Sequence, residues 1–453
     1  MAVIKPLRAL RYNMDKSQDR DAELTKVMAP PYDVISPEFQ QELYLRHPGN
    51  VIRLILGKIL PDDSEDSNRY TKAAAYLDKW QKDGTLVRDV APSIYIYAQR
   101  YTLPGGQERE RKGFIALTRV EDFDGGAVRP HEKTLSGPKA DRLELLKRCR
   151  CNLSCIFALY PESVELPLQE RVMGVLEGAV KGEPLVNVVG DDGVTNTVWK
   201  VDDAVIIAKV VEAMDEKSLF IADGHHRYET AINYRNYMRE NTENPTGKEP
   251  FNYVMMYFTS MRDDGLDIFP THRVVRGLEG FDGAALLEDC KEFFDLETVE
   301  FDDATEPEAR AEFMRRLGDG DEGHTSFGLY LKGTNTYYIL RLKDAKIMDE
   351  LLGADIPDVY KKLDVTILHS LLLGKILGIS QESQAKQENL LYIKSTDQAF
   401  ELGRSDENQM VFIMNPTTVE QVRLVSEADL LMPQKSTYFY PKILSGLTIN
   451  PLW

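Results

Sequence analysis

Between Ser218 and Ala231 the chain reads Ser-Leu-Phe-Ile-Ala-Asp-Gly-His-His-Arg-Tyr-Glu-Thr-Ala, a pattern with few folding solutions. The apolar residues Leu219 to Ala222 read as a short buried strand, Asp223-Gly224 as the turn that ends it, and His225 onward as the first turn of a helix. A strand that turns directly into a helix leaves the helix's first backbone N–H groups without partners, all aimed at one point. Aligned peptide dipoles add partial positive charge there, so the place favours an anion, above all a phosphate. Asp-Gly pairs also make ordinary turns, and Asp is a common helix cap. Yet the chain has only seven histidines, and two stand side by side here next to a guanidinium and a carboxylate.

At 453 residues the chain exceeds a single compact core, so two or three domains are expected. The balance of 55 basic against 73 acidic residues gives a net charge of −18. Such a surface repels a nucleic-acid backbone, whose binding depends on neutralising phosphates, so nucleic acid is not an expected partner. The N-terminus has no apolar core of signal-peptide length, and the longest apolar stretch, Val365 to Ile379, is interrupted by polar residues and too short to span a membrane. It reads as a buried helix, and a cytoplasmic location without membrane contact is expected. Cys149, Cys151 and Cys155 cluster while Cys290 stands alone. Their spacing lacks the paired knuckles of a structural zinc site, so they read as small buried apolar residues.

Along the chain, Ser36 before Pro37 reads as a helix cap, Val51 to Leu56 as a short strand, and residues 70–82 as a helix. Ser93 to Tyr101 and Lys112 to Arg119 read as a hairpin across Pro104-Gly105-Gly106. Asp141 to Cys149 is helical in pattern, and Ile156 to Tyr160 and Tyr253 to Phe258 are strands. Residues 284–380 alternate as a separate α/β layer, in which the acidic run 301–322 reads as a solvated helix face. A strand at Met410 to Met414 and a helix at Thr418 to Ala428 follow. The fold class is α+β, a mixed α/β chain.

Pro130-His131-Glu132 is a second candidate site. A Glu on such a loop suits a general base facing a substrate hydroxyl, with Lys133, Lys139 and Arg142 nearby to hold phosphate oxygens. Thr271-His272-Arg273 adds an imidazole and a guanidinium, and Lys435-Ser436-Thr437 joins a cation to hydroxyls, as phosphate sites often do. No Walker, dinucleotide-fingerprint, nucleophile-elbow or H-E-x-x-H motif occurs. Adjacent histidines at a helix start point about 100° apart, so both rarely bind one ion. A Mg2+ held by Asp223 and substrate phosphates therefore fits better than a caged transition metal.

Ala29-Pro30-Pro31-Tyr32-Asp33-Val34-Ile35-Ser36, Pro130-His131-Glu132, Asp223-Gly224-His225-His226-Arg227-Tyr228-Glu229, Thr271-His272-Arg273 and the stretch from Met432-Pro433 to Pro441-Lys442 resemble, in this order, a bacterial and archaeal family. It is numbered ten-fifteen among domains of unknown function and often labelled SpoOJ/ParA/ParB/RepB. More distantly, Pro130-His131-Glu132 and Asp223 to Arg227 are similar to the ParB/sulfiredoxin-like fold, and most closely to its free-serine kinases. That resemblance implies a core at 93–280 with an insertion near 161–217, an N-terminal α/β segment at 1–92 and a C-terminal α/β domain at 281–453. It makes Glu132 the base and Asp223 the Mg2+-side carboxylate, with Asp223 and His225 catalytic beside it. Gly224, His225, His226 and Arg227 then bind the phosphates of ATP or ADP, with His131, Lys133, Arg142, Arg273, Lys435 and Ser436 as further contacts. The implied function is phosphoryl transfer from a nucleotide to a small hydroxyl acceptor, free serine first. The alternative is a non-catalytic nucleotide-binding switch or a DNA-partition-related protein. Expected partners are a small-molecule substrate, the nucleotide and a second copy of the chain.

Overall fold

The computed structural model describes residues 2–14, 17, 19–132, 134, 136–318 and 325–453. The chain divides into two compact units. One comprises Met1–Pro130, Thr134–Asp267 and Pro441–Trp453, the other His131–Lys133 and Ile268–Tyr440. Both are mixed α/β, as the sequence patterns predict.

In the first unit the strands of the main sheet are β1 (Ile4–Lys5), β2 (Ile94–Thr102), β3 (Glu108–Arg119), β4 (Val128–Arg129), β5 (Ile156–Tyr160), β6 (Val186–Val189), β7 (Thr195–Val201), β8 (Leu219–Asp223) and β9 (Tyr253–Ser260). They form a nine-stranded sheet in the order β4-β8-β5-β9-β3-β2-β7-β6, with β1 added along β3. The β8–β4 and β9–β5 pairs are parallel and the rest antiparallel. The expected hairpin is β2–β3, with Tyr95 opposite Ile115. All five residues of β5 are buried, as a strand covered on both faces requires. Phe114 and Phe258 stack at 5.0 Å in the core beneath.

The boundaries at 92 and 280 do not coincide with these units. The β1 strand pairs with β3 in the central sheet, the Leu10 N–H donates to the Ile449 carbonyl at 2.9 Å, and Asn450 pairs with Asn152 in a separate two-stranded ladder, so both chain ends are built into the first unit. Residues 161–217, expected as an insertion, supply β6 and β7, and β7 pairs with β2 along seven residues. One local expectation is corrected: Val51 to Leu56 is not a strand but contains a helix, Ile52–Ile55. Asn50, fully buried, decides it. Its side-chain oxygen accepts from the Ile52 N–H at 2.9 Å, and its amide donates to the Lys26 and Met28 carbonyls.

In the second unit, β10 (His272–Arg276), β11 (Phe294–Glu300), β12 (Ser326–Leu331), β13 (Thr336–Leu342), β14 (Leu390–Ile393) and β15 (Asn408–Ile413) form an antiparallel sheet ordered β11-β13-β12-β15-β10-β14. Alternate residues feed two cores. Val275, Leu329, Leu340 and Phe412 face one, and Val274, Tyr330, Ile339 and Val411 the other. The apolar stretch from Val365 covers the first face as a short helix, Asp364–Ile367, that continues in π-winding through Leu368–Ile376. The acidic run supplies the helix Glu306–Gly318, and its end at 319–322 lies outside the described residues.

Among the described residues no helix is long and apolar enough to cross a membrane. All four cysteines are buried with free thiols, and burial pushes those of Cys149, Cys155 and Cys290 up to about 12.

Candidate functional site

The predicted residues sort into two groups by unit. Arg142 and Asp223 to Arg227 belong to the first; His131, Glu132, Arg273, Lys435 and Ser436 belong to the second. Lys133 lies outside the described residues.

In the first unit, β8 ends in a bulge. Ile221 pairs with Ala158, but the next register position joins Asp223 to Phe157, so Ala222 is the extra residue. A bulge kinks a strand and re-aims the side chain that follows it. Gly224 then turns the chain in the left-handed region, φ 93°, and opens the helix His225–Glu240 with no side chain capping it. A Cβ at Gly224 would also lie 2.9 Å from the Arg227 guanidinium. Both constraints demand glycine. We expect Gly224→Ala to cost about 1–2 kcal/mol, the strain of a left-handed non-glycine residue. Because it also displaces Arg227, anion binding should weaken further than stability does. A denaturation midpoint and an anion titration read the two effects separately, and unchanged values in both would remove Gly224 from the site.

Arg227 folds back over the turn. Its Nη2 donates to Asp223 Oδ2 at 2.5 Å, while Nη1 donates to the Cys155 carbonyl and to Ser154 Oγ. The other Asp223 oxygen, Oδ1, takes Lys442 Nζ at 2.5 Å. Lys442 lies 219 positions away in sequence, at the end of the Met432 to Lys442 motif. Its reach is set by the sheet. Gln99 of β2 donates to the Lys442 carbonyl at 2.9 Å, and Arg111 of β3, fully buried, donates to the Pro441 carbonyl. Burial alone would raise the Asp223 carboxyl. The Lys442 and Arg227 cations, with a smaller contribution from His225, instead hold it far below the usual carboxylate range.

Arg142 lines the same cavity as Arg227, together with Asn152, Ser154 and Thr230. It donates to the Ile55 carbonyl at 2.6 Å and lies 4.0 Å over the ring of Tyr32. This gives the Ala29 to Ser36 motif a place. Burial raises the Tyr32 hydroxyl, partly offset by Arg142 and Arg227. Glu229, one turn further along the helix, accepts from Thr134 at 2.7 Å and Lys139 at 2.6 Å. Arg69, Lys139, Arg142, Arg227 and Lys442 thus face Asp141, Asp223 and Glu229 in their ion pairs, a local surplus of cations in a chain of net charge −18.

Mg2+ on Asp223 does not fit this donor set. Each Asp223 oxygen already faces a cation, and a hard divalent ion needs carboxylate oxygens that are not neutralised. No group of three His, Cys, Asp or Glu side chains suited to a metal occurs among the described residues.

In the second unit His131 and Glu132 are tied to residues 432–437. The Met432 N–H donates to the His131 carbonyl at 2.7 Å, and Glu132 pairs with Met432 as an isolated parallel bridge. His131 is fully buried, with Nε2 2.8 Å from Thr437 Oγ1. The Lys435 N–H donates to Glu132 Oε1 at 2.9 Å, from a backbone in the left-handed region, φ 57°. Ser436 Oγ donates to the Pro433 carbonyl at 2.5 Å. Arg273 is 1% exposed, and its Nη2 donates to the Lys435 carbonyl at 3.2 Å. His272 has both ring nitrogens engaged, Nδ1 accepting from the Met414 N–H and Nε2 beside Thr396 Oγ1. Burial and Arg273 push it down to about 4, so at neutral pH it is an uncharged structural link.

A family model described as "Protein of unknown function (DUF1015)" matches residues 4–366. No curated protein matches the chain. Among solved structures, a free serine kinase variant in complex with AMP is 14% identical, with a TM-score of 0.32 over 69% of this chain and 84% of that one. A conserved hypothetical protein from Pyrococcus furiosus is 14% identical, with a TM-score of 0.33 over 72% and 94%. SbnI with a C-terminal truncation, from Staphylococcus aureus, is 10% identical, with a TM-score of 0.33 over 75% and 87%.

Proposed function

This chain belongs to the DUF1015 family, and we propose that its first unit binds the phosphates of a nucleotide at the Gly224 turn. The observation that carries the reading is the cation surplus around a helix start whose N-cap is glycine, Arg227 and Lys442 at the turn itself and Arg142 on the shared cavity. Oriented N–H groups and fixed cations are what a phosphate requires, and a phosphate adds negative charge beside the Asp223 carboxylate that Arg227 and Lys442 share.

The reaction proposed is transfer of a phosphoryl group from ATP or ADP to a small hydroxyl acceptor, with free serine as the first candidate. A primary hydroxyl is a poor nucleophile at neutral pH, so a carboxylate must accept its proton as the bond to phosphorus forms. Glu132 is proposed for that role on the Pro130-His131-Glu132 resemblance. Its carboxylate is held by the Lys435 N–H.

Binding and turnover test this separately. Calorimetry with ATP and ADP should show Arg227→Ala weakened by about 1.5–3 kcal/mol, the loss of a charged donor pair. Unchanged affinity would overturn the phosphate assignment. Phosphorus NMR of the wild-type protein with serine and nucleotide should show phosphoserine. Nucleotide binding without a phosphorylated product would leave a nucleotide-binding switch as the function.

A further inference from the structure

The second unit holds a cavity of about 100 Å3 lined by Thr271, Arg273, Asp364, Asn415, Thr417 and Ser436, among others. Two opposite charges share it without neutralising each other. Arg273 is 1% exposed, yet among the described residues no carboxylate lies within ion-pair distance of it. Its Nη atoms donate to the Thr271 and Lys435 carbonyls and to His369 Nε2, while its Nε has no hydrogen-bond partner at all. The Tyr392 ring, 4.9 Å from the guanidinium, closes another side. Asp364 likewise forms no ion pair among the described residues. Glu132 acts on Arg273 only from beyond ion-pair distance, and a buried charge with an unsatisfied donor is costly unless something brings a counter-charge into contact.

We propose that this cavity binds a small zwitterion, a free α-amino acid, with its carboxylate on Arg273 and its ammonium group on Asp364. A simple anion would neutralise Arg273 and leave Asp364 as it is, whereas a zwitterion serves both. The volume admits a molecule of a few heavy atoms and excludes a nucleotide or a bulky aromatic side chain. The hydroxyl and amide groups of Thr271, Thr417, Asn415 and Ser436 make the remaining wall polar, which suits a small amino acid with a polar or no side chain. The strain on both charges points the same way. Burial raises the Asp364 carboxyl to about 6 and lowers Arg273 to about 10. This binding does not depend on phosphate recognition in the first unit, so either reading can fail without the other.

Calorimetry on the full chain tests it with glycine, alanine and serine, against acetate, ethylamine, inorganic phosphate and tryptophan. The small amino acids should bind, and each singly charged probe should bind at least about tenfold more weakly, the loss of one charge-assisted contact. Tryptophan should not bind. Asp364→Asn, which keeps the side-chain shape, should lower amino-acid affinity by a similar factor and leave acetate unchanged. Because Arg273 is fully buried, Arg273→Lys risks misfolding, so Asp364→Asn is the deciding variant. Equal binding of acetate or phosphate would overturn the proposal in favour of a plain anion pocket. So would no amino-acid binding at millimolar concentration, or an Asp364→Asn protein of unchanged affinity.

Discussion

In the Glu132→Gln protein, nucleotide affinity is expected to stay close to that of the wild type while turnover falls on the order of 10²–10⁴-fold. That loss corresponds to about 2.7–5.5 kcal/mol of barrier. Gln is chosen because it keeps the side-chain shape and an acceptor for the Lys435 N–H. The Lys435 N–H donates to Glu132 Oε1 at 2.9 Å, and a carboxamide oxygen can take the same bond. The neighbouring tie, from the Met432 N–H to the His131 carbonyl, involves backbone alone and survives any side-chain change. What Gln cannot do is accept a proton near neutral pH. A turnover loss with intact melting behaviour therefore isolates the proton-acceptor role. Undiminished turnover would transfer that role to another group or to solvent.

Removing the Asp223 carboxylate should have the largest effect on stability. Arg227 and Lys442 are only 13% and 12% exposed, and in Asp223→Ala both lose their shared counter-ion. Breaking a pair buried to this degree costs about 3 kcal/mol. The Asp223 carboxyl is depressed in the folded chain, so its contribution is present above the ordinary carboxylate range and disappears as pH falls through the folded value. Asp223→Asn should accordingly flatten the acid limb of the stability profile. A second consequence separates a counter-ion from a metal ligand. If Asp223 neutralises the two cations, its removal leaves them to an anion, so phosphate should bind more tightly to Asp223→Ala with or without Mg2+. Saturation at about a hundredfold over Kd would then restore about 2.7 kcal/mol of stability. If Asp223 instead holds Mg2+, nucleotide affinity in Mg2+ should fall in the same variant.

What could be read from the sequence was what local chemistry decides. The run Leu219 to Ala222 followed by Asp-Gly announces a strand, a turn and a helix start, because the apolar run and the glycine requirement are both local. The β2–β3 hairpin was legible for the same reason. Val51 to Leu56 was not, since a short apolar run suits either a strand or a buried helix, and the arbiter was Asn50 reaching Lys26 and Met28. Lys442 and Tyr32 stand inside motifs that the sequence marks, but nothing local assigns them a partner. Lys442 matters through an Asp 219 positions away, and Tyr32 through Arg142. The division into units was illegible for a related reason: strand pairing draws residue 4 into the central sheet and residue 450 onto Asn152, and only tertiary pairing can say so.

The placement of the thiols has a consequence for watching this molecule come apart. An alkylating reagent attacks the thiolate, and a group pushed up to about 12 has about one part in 10⁵ in that form at neutral pH, so the closed protein should be nearly silent. Labelling then proceeds only through momentary openings of the surrounding structure. Cys149, Cys151 and Cys155 belong to the first unit and Cys290 to the second. The chain therefore carries a separate clock for each unit, and peptide-resolved labelling rates with and without nucleotide would show which of the two a ligand holds shut.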